Sequence, residues 1–387
     1  MQTTSSVSGS KSSSGDTQFK IPFLRPPLGP GAIEAAVAAM KTADISSGAA
    51  VALLEERFRR MTDSTYACAV NSGTTALELA LRALVQEGSL SFGDRVIVPS
   101  FTFSAVANAV VSAGLEPCFA DIHPTSWNLD ADRISVTQEK AIIITHTFGN
   151  PADINRIQDL ATDHGLILIE DCAEACGANF CDFPVGSFGD VATFSFNATK
   201  NMTTGEGGMV CTSSTPIANA IALLREHGLV TTSQGIRDVV VPGHNYRLPN
   251  ILAAIGVEQF DRLETSNMIR GAIAKEYRKA LSGRPVTFQL TGPDCLHVYQ
   301  IFSIRVPPEL RDPLVDRLRR EGVEAKVYFN FPIHLQTFYR ERGYHLCTDN
   351  LVETENAATD CVALPMYPSL TVEEIRRVAC VVEEVLG

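Results

Sequence analysis

Short apolar runs rich in β-branched residues alternate with segments of helical periodicity through most of the chain. Strands are predicted at residues 66–70, 95–99, 116–120, 141–145 and 166–170. Helices are predicted between them at residues 74–86, 105–113 and 154–164. This alternation is typical of a mainly parallel sheet that helices cover on both faces.

The pattern changes after Tyr246, where helical periodicity continues to about residue 281. A smaller α+β unit follows, with a strand at 298–306 and helices at 312–321 and 372–386. We therefore predict a large domain over residues 18–263 and a small C-terminal domain over residues 264–387. The first 17 residues are rich in Ser, Thr and Gly and are predicted to be a disordered tail.

Composition limits the classes of function. With 387 residues, 45% of them hydrophobic, the chain can build two domains. A net charge of −12 without a basic run argues against a nucleic acid or a membrane as partner. None of the ten cysteines forms a CxxC pair, so reduced thiols in a cytoplasmic protein are favoured over a metal site or a disulfide framework.

Lys200 is the most informative residue of the sequence. It follows an apolar, strand-like stretch (residues 190–196) and precedes the Gly-rich turn at residues 205–208. A lysine held at such a point can form a Schiff base with pyridoxal phosphate (PLP). A single loop lysine is more often structural or solvated, so this interpretation depends on the residues that accompany it.

A phosphate site is predicted where the strand at residues 66–70 meets the next helix. Gly73 lets a phosphate approach the backbone, and Thr74 adds a hydroxyl group. Free backbone N–H groups and the helix dipole favour a dianion there. The alternative is an ordinary helix N-cap, because Ser and Thr are common at that position.

Asp171 is the candidate partner of the pyridine nitrogen. It follows Glu170 at the carboxyl end of an apolar strand, where open α/β sheets bind their ligands. A charge pair at about 4 Å and an effective dielectric near 20 contributes on the order of 4 kcal/mol, which would keep the nitrogen protonated. The alternative is that Asp171 caps a short helix beginning near Ala173.

Two further positions complete the candidate cofactor site. Phe101 or Phe103, at the end of another strand, could stack on the cofactor ring. Strand alternation points Ser195 away from Phe194 and Phe196, which makes Ser195 a candidate phosphate ligand.

These residues resemble the sugar-nucleotide aminotransferases of the DegT/DnrJ/EryC1/StrS group, which are PLP enzymes of fold type I. The resemblance runs from Ile21 to the C-terminus. It is carried by eight pieces in the family's order, at residues 21–29, 71–77, 99–103, 146–149, 170–178, 194–208, 243–247 and 364–368.

The resemblance implies the fold and the role of each candidate residue. The fold is a mixed, mainly parallel seven-stranded sheet with a smaller α+β C-terminal domain. Lys200 is the Schiff-base lysine and Asp171 the pyridinium partner. Phe103 stacks on the ring, and the phosphate is held by Gly73, Thr74, Ser195 and, from the neighbouring subunit, Asn245. An Asn245 that reaches across implies a homodimer with shared sites.

Glu174 departs from the Gln or His that many members have near the cofactor's 3-oxygen, and we interpret it as tuning the site. For His146 a core position is favoured over a catalytic one, and for Arg247 a structural ion pair over a substrate contact. The regions around His297 and His334 resemble parts that line the sugar site.

The implied reaction moves an amino group from L-glutamate to a nucleotide-linked keto sugar. Residues 200–208 resemble members that act on C4, so we expect a 4-keto-6-deoxyhexose to become a 4-amino-4,6-dideoxyhexose. Amination of a 3-keto sugar or of a cyclitol ketone remains open, as does a PLP-binding regulator without turnover. A dehydratase branch is disfavoured, because a histidine replaces the lysine there.

Overall fold

In the computed structural model, which describes residues 19–387, the chain forms fifteen β-strands. The predicted tail at residues 1–17 lies outside this range. The strands are β1 Tyr66–Val70, β2 Arg95–Pro99, β3 Glu116–Ala120, β4 Glu139–Thr145, β5 Ile167–Asp171, β6 Asn179–Phe180, β7 Phe183–Pro184, β8 Val191–Ser195, β9 Gly208–Thr212, β10 Leu229–Thr231, β11 Arg237–Val239, β12 Thr287–Phe288, β13 Cys295–Leu296, β14 Phe302–Arg305 and β15 Cys361–Leu364.

Twelve α-helices accompany these strands over the same residues, together with three 3₁₀ turns at Ala131–Arg133, Thr147–Gly149 and Ile333–Leu335. None of these helices has both the length and the apolar character that crossing a membrane requires. The helices are α1 Pro30–Lys41, α2 Ala49–Met61, α3 Gly73–Gln86, α4 Ala105–Ser112, α5 Ile154–His164, α6 Thr215–Arg225, α7 Asn250–Asp261, α8 Leu263–Ala280, α9 Pro308–Arg320, α10 Thr337–Arg342, α11 Val352–Asp360 and α12 Val372–Leu386.

A seven-stranded sheet in the order β1-β9-β8-β5-β4-β2-β3 organises the larger part of the molecule. Only β9 runs antiparallel to its neighbours in this sheet. Two apolar clusters cover its faces, one around Ile97, Ile142 and Phe194 and the other around Val98, Ile143 and Ile169. The predicted fold class, a mixed and mainly parallel sheet, is confirmed.

The C-terminal part has its own apolar core. An antiparallel sheet in the order β12-β14-β15 packs against α8, α9 and α12 through residues such as Ile304, Leu314 and Val378. Within α8, Leu263 packs in the core of the large sheet, whereas Tyr277 packs in this second core. We propose residue 263 as the division between the two domains on this basis.

The first described residues pack against the C-terminal part. Ile21 forms a bridge with Val323 and is buried in the second core. The Phe23 backbone N–H donates to Glu324, and the Phe23 side chain lines the cavity described below. The N-terminal segment thus contacts both parts of the molecule.

Three predicted element boundaries were wrong. The helical stretch to residue 281 is two helices, α7 and α8, which meet at Arg262. The predicted strand at 298–306 is confined to β14, because Tyr299 has a positive φ of 46° and its N–H donates to the His297 ring. The predicted helix at 312–321 begins four residues earlier as α9, with Pro308 in its first turn.

Candidate active site

A cavity of about 440 Å³ lies at the carboxyl ends of β5 and β8, beside the N-terminus of α3. Its volume is in the range typical of small-molecule sites. Seven of the eight predicted cofactor residues line it. They are Gly73, Thr74, Phe103, Asp171, Glu174, Ser195 and Lys200.

One end of the cavity is built for an anion. Ser72 caps the 14-residue α3 by accepting the Thr75 N–H, so the N–H groups of Gly73 and Thr74 remain at the open helix end. A Cβ on Gly73 would lie 2.6 Å from the Ser195 Cβ. Glycine is therefore required for α3 to approach β8 closely enough to bring Ser195 to the same end.

The Asp171 carboxylate lies buried at the end of β5. Its Oδ1 accepts the Ala173 N–H at 3.0 Å, and within residues 19–387 this carboxylate forms no other hydrogen bond. Burial raises the pKa of Asp171 to about 6, although Lys200 partly opposes the shift. No helix begins at Ala173, so the capping alternative was wrong and Asp171 closes only a local turn.

Lys200 enters the cavity from a turn that is anchored on both sides. The Gln300 side chain donates to the carbonyl of Thr199 at 3.0 Å. The Asn201 side chain donates to Asn267 at 2.7 Å and to the Val298 carbonyl at 3.0 Å. Because both neighbours are anchored by hydrogen bonds, the backbone of Lys200 is restrained at this point of the cavity wall.

Glu174 is the nearest carboxylate to the lysine amine. Its Oε1 lies 3.8 Å from Lys200 Nζ, and its Oε2 accepts the Phe148 N–H at 2.8 Å. Phe148 has a positive φ of 62°, which aims this N–H at the carboxylate. Glu174 thus presents a negative charge to Lys200 in a fixed orientation.

Phe101 and Phe103, the two candidates for stacking on the cofactor ring, lie in different environments. Phe101 is fully buried and packs edge-on against Phe148 and Phe329. Phe103 is 61% exposed and faces the cavity, so its ring is the one available to a ligand.

His146 lies at the cavity wall but is bound within the protein. Its Nδ1 accepts the Ala152 N–H at 3.1 Å, which leaves the proton on Nε2, 3.3 Å from Glu170. Glu170 also accepts three backbone N–H groups, from Gly186, Phe188 and Gly189. Although Cys172 lies close to both side chains, their donor atoms are engaged in these bonds rather than open to a metal.

Asn245 is the predicted cofactor residue that the structure places elsewhere. It is exposed, forms a bridge with Glu226 and does not line the cavity of its own chain. Arg247 bridges Val70 through its backbone and, within the described chain, forms no ion pair.

The side chains of His297 and His334 do not line the cavity, but residues near each of them in the sequence do. His297 is buried, stacks on Tyr299 at 3.7 Å and accepts the Tyr299 N–H, and burial lowers its pKa to about 3. His334 bonds to Ser100 and Glu355. Cavity residues that were not assigned a role from the sequence lie near them in the chain, namely Gln300, Ile301, Tyr328 and Phe329.

Comparison with known proteins identifies the family. Residues 28–383 match the DegT/DnrJ/EryC1/StrS aminotransferase family. The chain belongs to this family. It is 37% identical over 359 residues to GDP-perosamine synthase from Caulobacter vibrioides, covering 90% of this chain and 93% of that protein.

Solved structures agree with this family. A DegT DnrJ EryC1 StrS aminotransferase from Brucella abortus has a TM-score of 0.84 and 30% identity, covering 92% of this chain and 95% of that one. An Escherichia coli GDP-4-keto-6-deoxy-D-mannose-3-dehydratase with bound hydrated PLP shares the fold, with a TM-score of 0.89 and 24% identity over 96% of this chain and all of that one. The prediction of a PLP-dependent sugar aminotransferase of this family is confirmed.

The residues of the cavity fit PLP. A buried carboxylate with a raised pKa and one hydrogen bond is suited to a cationic ring nitrogen. The helix end beside Ser195 suits a phosphate, and the exposed Phe103 ring suits an aromatic face. Lys200 supplies the amine on the same cavity wall.

Proposed function

We propose that the protein transfers an amino group from L-glutamate to the 4-keto group of a GDP-linked 4-keto-6-deoxyhexose. The products are a GDP-linked 4-amino-4,6-dideoxyhexose and 2-oxoglutarate. The observation that carries the proposal is the meeting of Lys200, Asp171 and the α3 N-terminus in one cavity of a chain related to GDP-perosamine synthase. That relationship also supports GDP over other nucleotides.

Cofactor binding would divide among the residues already described. The α3 N-terminus at Gly73 and Thr74, together with Ser195, would hold the phosphate, and Phe103 would cover one face of the ring. Asp171 would lie against the ring nitrogen and keep it protonated. When bound, PLP supplies an electron sink that stabilises negative charge on a substrate carbon.

Lys200 would have two tasks. It would bind the cofactor covalently, and its released amine would move a proton between carbon atoms as a general base and then a general acid. The anchors at Thr199 and Asn201 support this assignment, because a fixed backbone limits the positions that Nζ can reach.

We also propose that the active unit is a homodimer in which Asn245 completes the partner's site. Asn245 is exposed and does not line the cavity of its own chain, which supports this arrangement. Lys200→Ala and Asn245→Ala proteins should each have low activity, whereas subunit exchange between them should restore it. One hybrid site then contains both wild-type residues. A mixture no more active than its separate components would contradict shared sites.

The substrate proposal is tested with purified protein reconstituted with PLP. L-glutamate and the GDP-, dTDP- and UDP-linked 4-keto-6-deoxyhexoses are supplied separately, and the products are examined by mass spectrometry and NMR. We expect a new amine on C4, formed fastest with the GDP sugar. Amination at C3, or of a cyclitol ketone alone, would replace this substrate with an alternative from the same family. Turnover of none of them would favour a regulator.

A further inference from the structure

The cavity has two aromatic walls that come from distant parts of the chain. Phe103 follows β2, whereas Tyr328 and Phe329 belong to the segment between α9 and α10. The Tyr328 ring also packs against Phe23, which lines the same cavity, with 5.9 Å between the ring centroids. The distance between the two walls determines what size of substrate can enter beside the cofactor.

Apolar packing between the two segments does not by itself fix the distance between Phe103 and the Tyr328–Phe329 wall. The Phe329 ring contacts Phe101 at 5.4 Å between centroids and Phe148 at 5.8 Å. Such contacts favour proximity but do not specify position, because dispersion attraction is not directional.

Directional bonds are formed a few residues away on both segments. Ser100, three residues before Phe103, accepts the Ile333 N–H on its carbonyl at 3.2 Å and the His334 N–H on its Oγ at 3.1 Å. The Ser100 Oγ also lies 2.7 Å from His334 Nδ1. Since this Oγ already accepts the His334 N–H, its own proton points to Nδ1.

The far side of the imidazole is also engaged. His334 Nε2 lies 3.3 Å from the Glu355 carboxylate, which fixes the proton on Nε2 and leaves Nδ1 as the acceptor for Ser100. Ser100 is fully buried and the His334 side chain is 12% exposed. Water therefore competes weakly for these bonds, and the loss of one partner leaves a buried polar group unsatisfied.

We propose that Ser100 and His334 form a clip that sets the distance between Phe103 and the Tyr328–Phe329 wall, and that His334 is thereby a positioning residue for the keto sugar. The proposal rests on the proposed sugar aminotransferase function. The clip acts through the walls and touches neither Lys200 nor Asp171. Its loss should weaken use of the sugar and leave the reaction with L-glutamate unchanged.

Four variants of the PLP-loaded, full-length protein separate this role from a merely structural one. Ser100→Ala removes both bonds of the Ser100 Oγ and His334→Ala removes its bond to Nδ1, whereas His334→Asn keeps an acceptor near the position of Nδ1. Glu355→Gln is the matched control, because its amide oxygen still accepts the Nε2 proton. Hydrogen exchange at the amide of residue 334, which donates to the Ser100 Oγ, reports the clip directly and requires no substrate.

We expect faster exchange at this amide in Ser100→Ala, which removes its acceptor, and a smaller increase in His334→Ala, which removes only the side-chain bond that orients the Oγ. The KM for the sugar should rise roughly threefold to tenfold, the effect of one buried hydrogen bond, while the glutamate half-reaction keeps its rate. The double variant should be no worse than Ser100→Ala, because that variant already removes the side-chain bond that His334→Ala removes. His334→Asn should recover part of the loss, and Glu355→Gln should resemble the wild type.

The results distinguish the two proposals. Unchanged exchange in Ser100→Ala would overturn the clip whatever the substrate proves to be. A lower melting temperature with an unchanged sugar KM would also overturn it, because the bonds would then be structural only. If the wild type aminates none of the sugars, the proposed function fails, and the exchange measurement alone decides whether the clip exists.

Discussion

Glu170 and Asp171 are consecutive residues at the end of β5, yet their carboxylates lie in opposite environments. Glu170 accepts three backbone N–H groups and faces His146, so its charge is satisfied within the protein. Asp171 accepts one N–H and faces the cavity, where burial raises its pKa to about 6. Strand alternation sends the two side chains to opposite sides. Of the two acids, Asp171 is therefore the one whose carboxylate still has free hydrogen-bonding capacity for a ligand.

The largest effect is expected on the cavity side, at Lys200. Lys200→Ala removes both the covalent attachment of the cofactor and the proton-transferring amine, and turnover should fall by at least about 10⁴-fold. Single-turnover kinetics with L-glutamate measure the loss. The exposed Lys275→Ala is the control and should leave the rate unchanged. Retained turnover in Lys200→Ala would remove the basis of the site.

Asp171→Asn should separate activity from stability. Loss of the charge facing the ring nitrogen should lower kcat by about 10³-fold, the equivalent of about 4 kcal/mol. In the cofactor-free protein the same change should stabilise the fold at pH 8. The pKa of Asp171 rises from 3.8 unfolded to about 6 folded, so the folded state binds more protons between those values.

Ionisation of Asp171 alone should therefore lower the free energy of unfolding of the cofactor-free wild type by about 3 kcal/mol as the pH increases from 3.8 to 6. Asparagine cannot ionise, so the variant should lack this loss. Thermal unfolding of both proteins at pH 5 and pH 8 measures the difference. An Asp171→Asn protein that is less stable than the wild type at pH 8 would mean that this carboxylate is structural.

Glu170→Gln should give the converse result. An amide NH₂ would face backbone N–H groups that now donate to a carboxylate, and the free energy of unfolding should drop by about 3 kcal/mol. The exposed Glu116→Gln is the matched control. Below its melting temperature the Glu170→Gln protein should still bind PLP, which equilibrium titration measures. Normal stability with lost cofactor binding would reverse the assignments of the two acids.

Glu174→Gln should have the smallest effect. The amide oxygen can still accept the Phe148 N–H, so stability should change by less than about 1 kcal/mol. Loss of the negative charge beside Lys200 should lower the pH midpoint at which the absorbance band of the bound cofactor changes. An unchanged midpoint would show that this carboxylate does not tune the cofactor.

Local sequence patterns predicted the strands and the residues at the carboxyl end of the large sheet, where the cavity lies. Short apolar runs between helical segments predicted β1 to β5, and the rule that ligands bind at strand ends predicted Asp171. The Gly-rich turn after a strand gave Lys200. Each of these signals lies within a few residues of the side chain concerned, so it could be read without knowledge of the tertiary structure.

Long-range features were not predicted. No role was assigned to Tyr328 or Phe329, because a contact with a segment more than two hundred residues away carries no local pattern. The break between α7 and α8 was missed because helical periodicity continues across Arg262. Asn245 required knowledge of the family, since a residue proposed to act in a neighbouring subunit has no partner in its own chain.

Borohydride reduction of the PLP-loaded protein, followed by peptide mapping, tests the central claim most directly. Reduction makes the bond between a lysine and the cofactor permanent, so the labelled residue can be identified by mass. We predict the label on Lys200, and its loss when the protein is first treated with L-glutamate. A label on another lysine, or none in protein that has bound PLP, would contradict the proposed site.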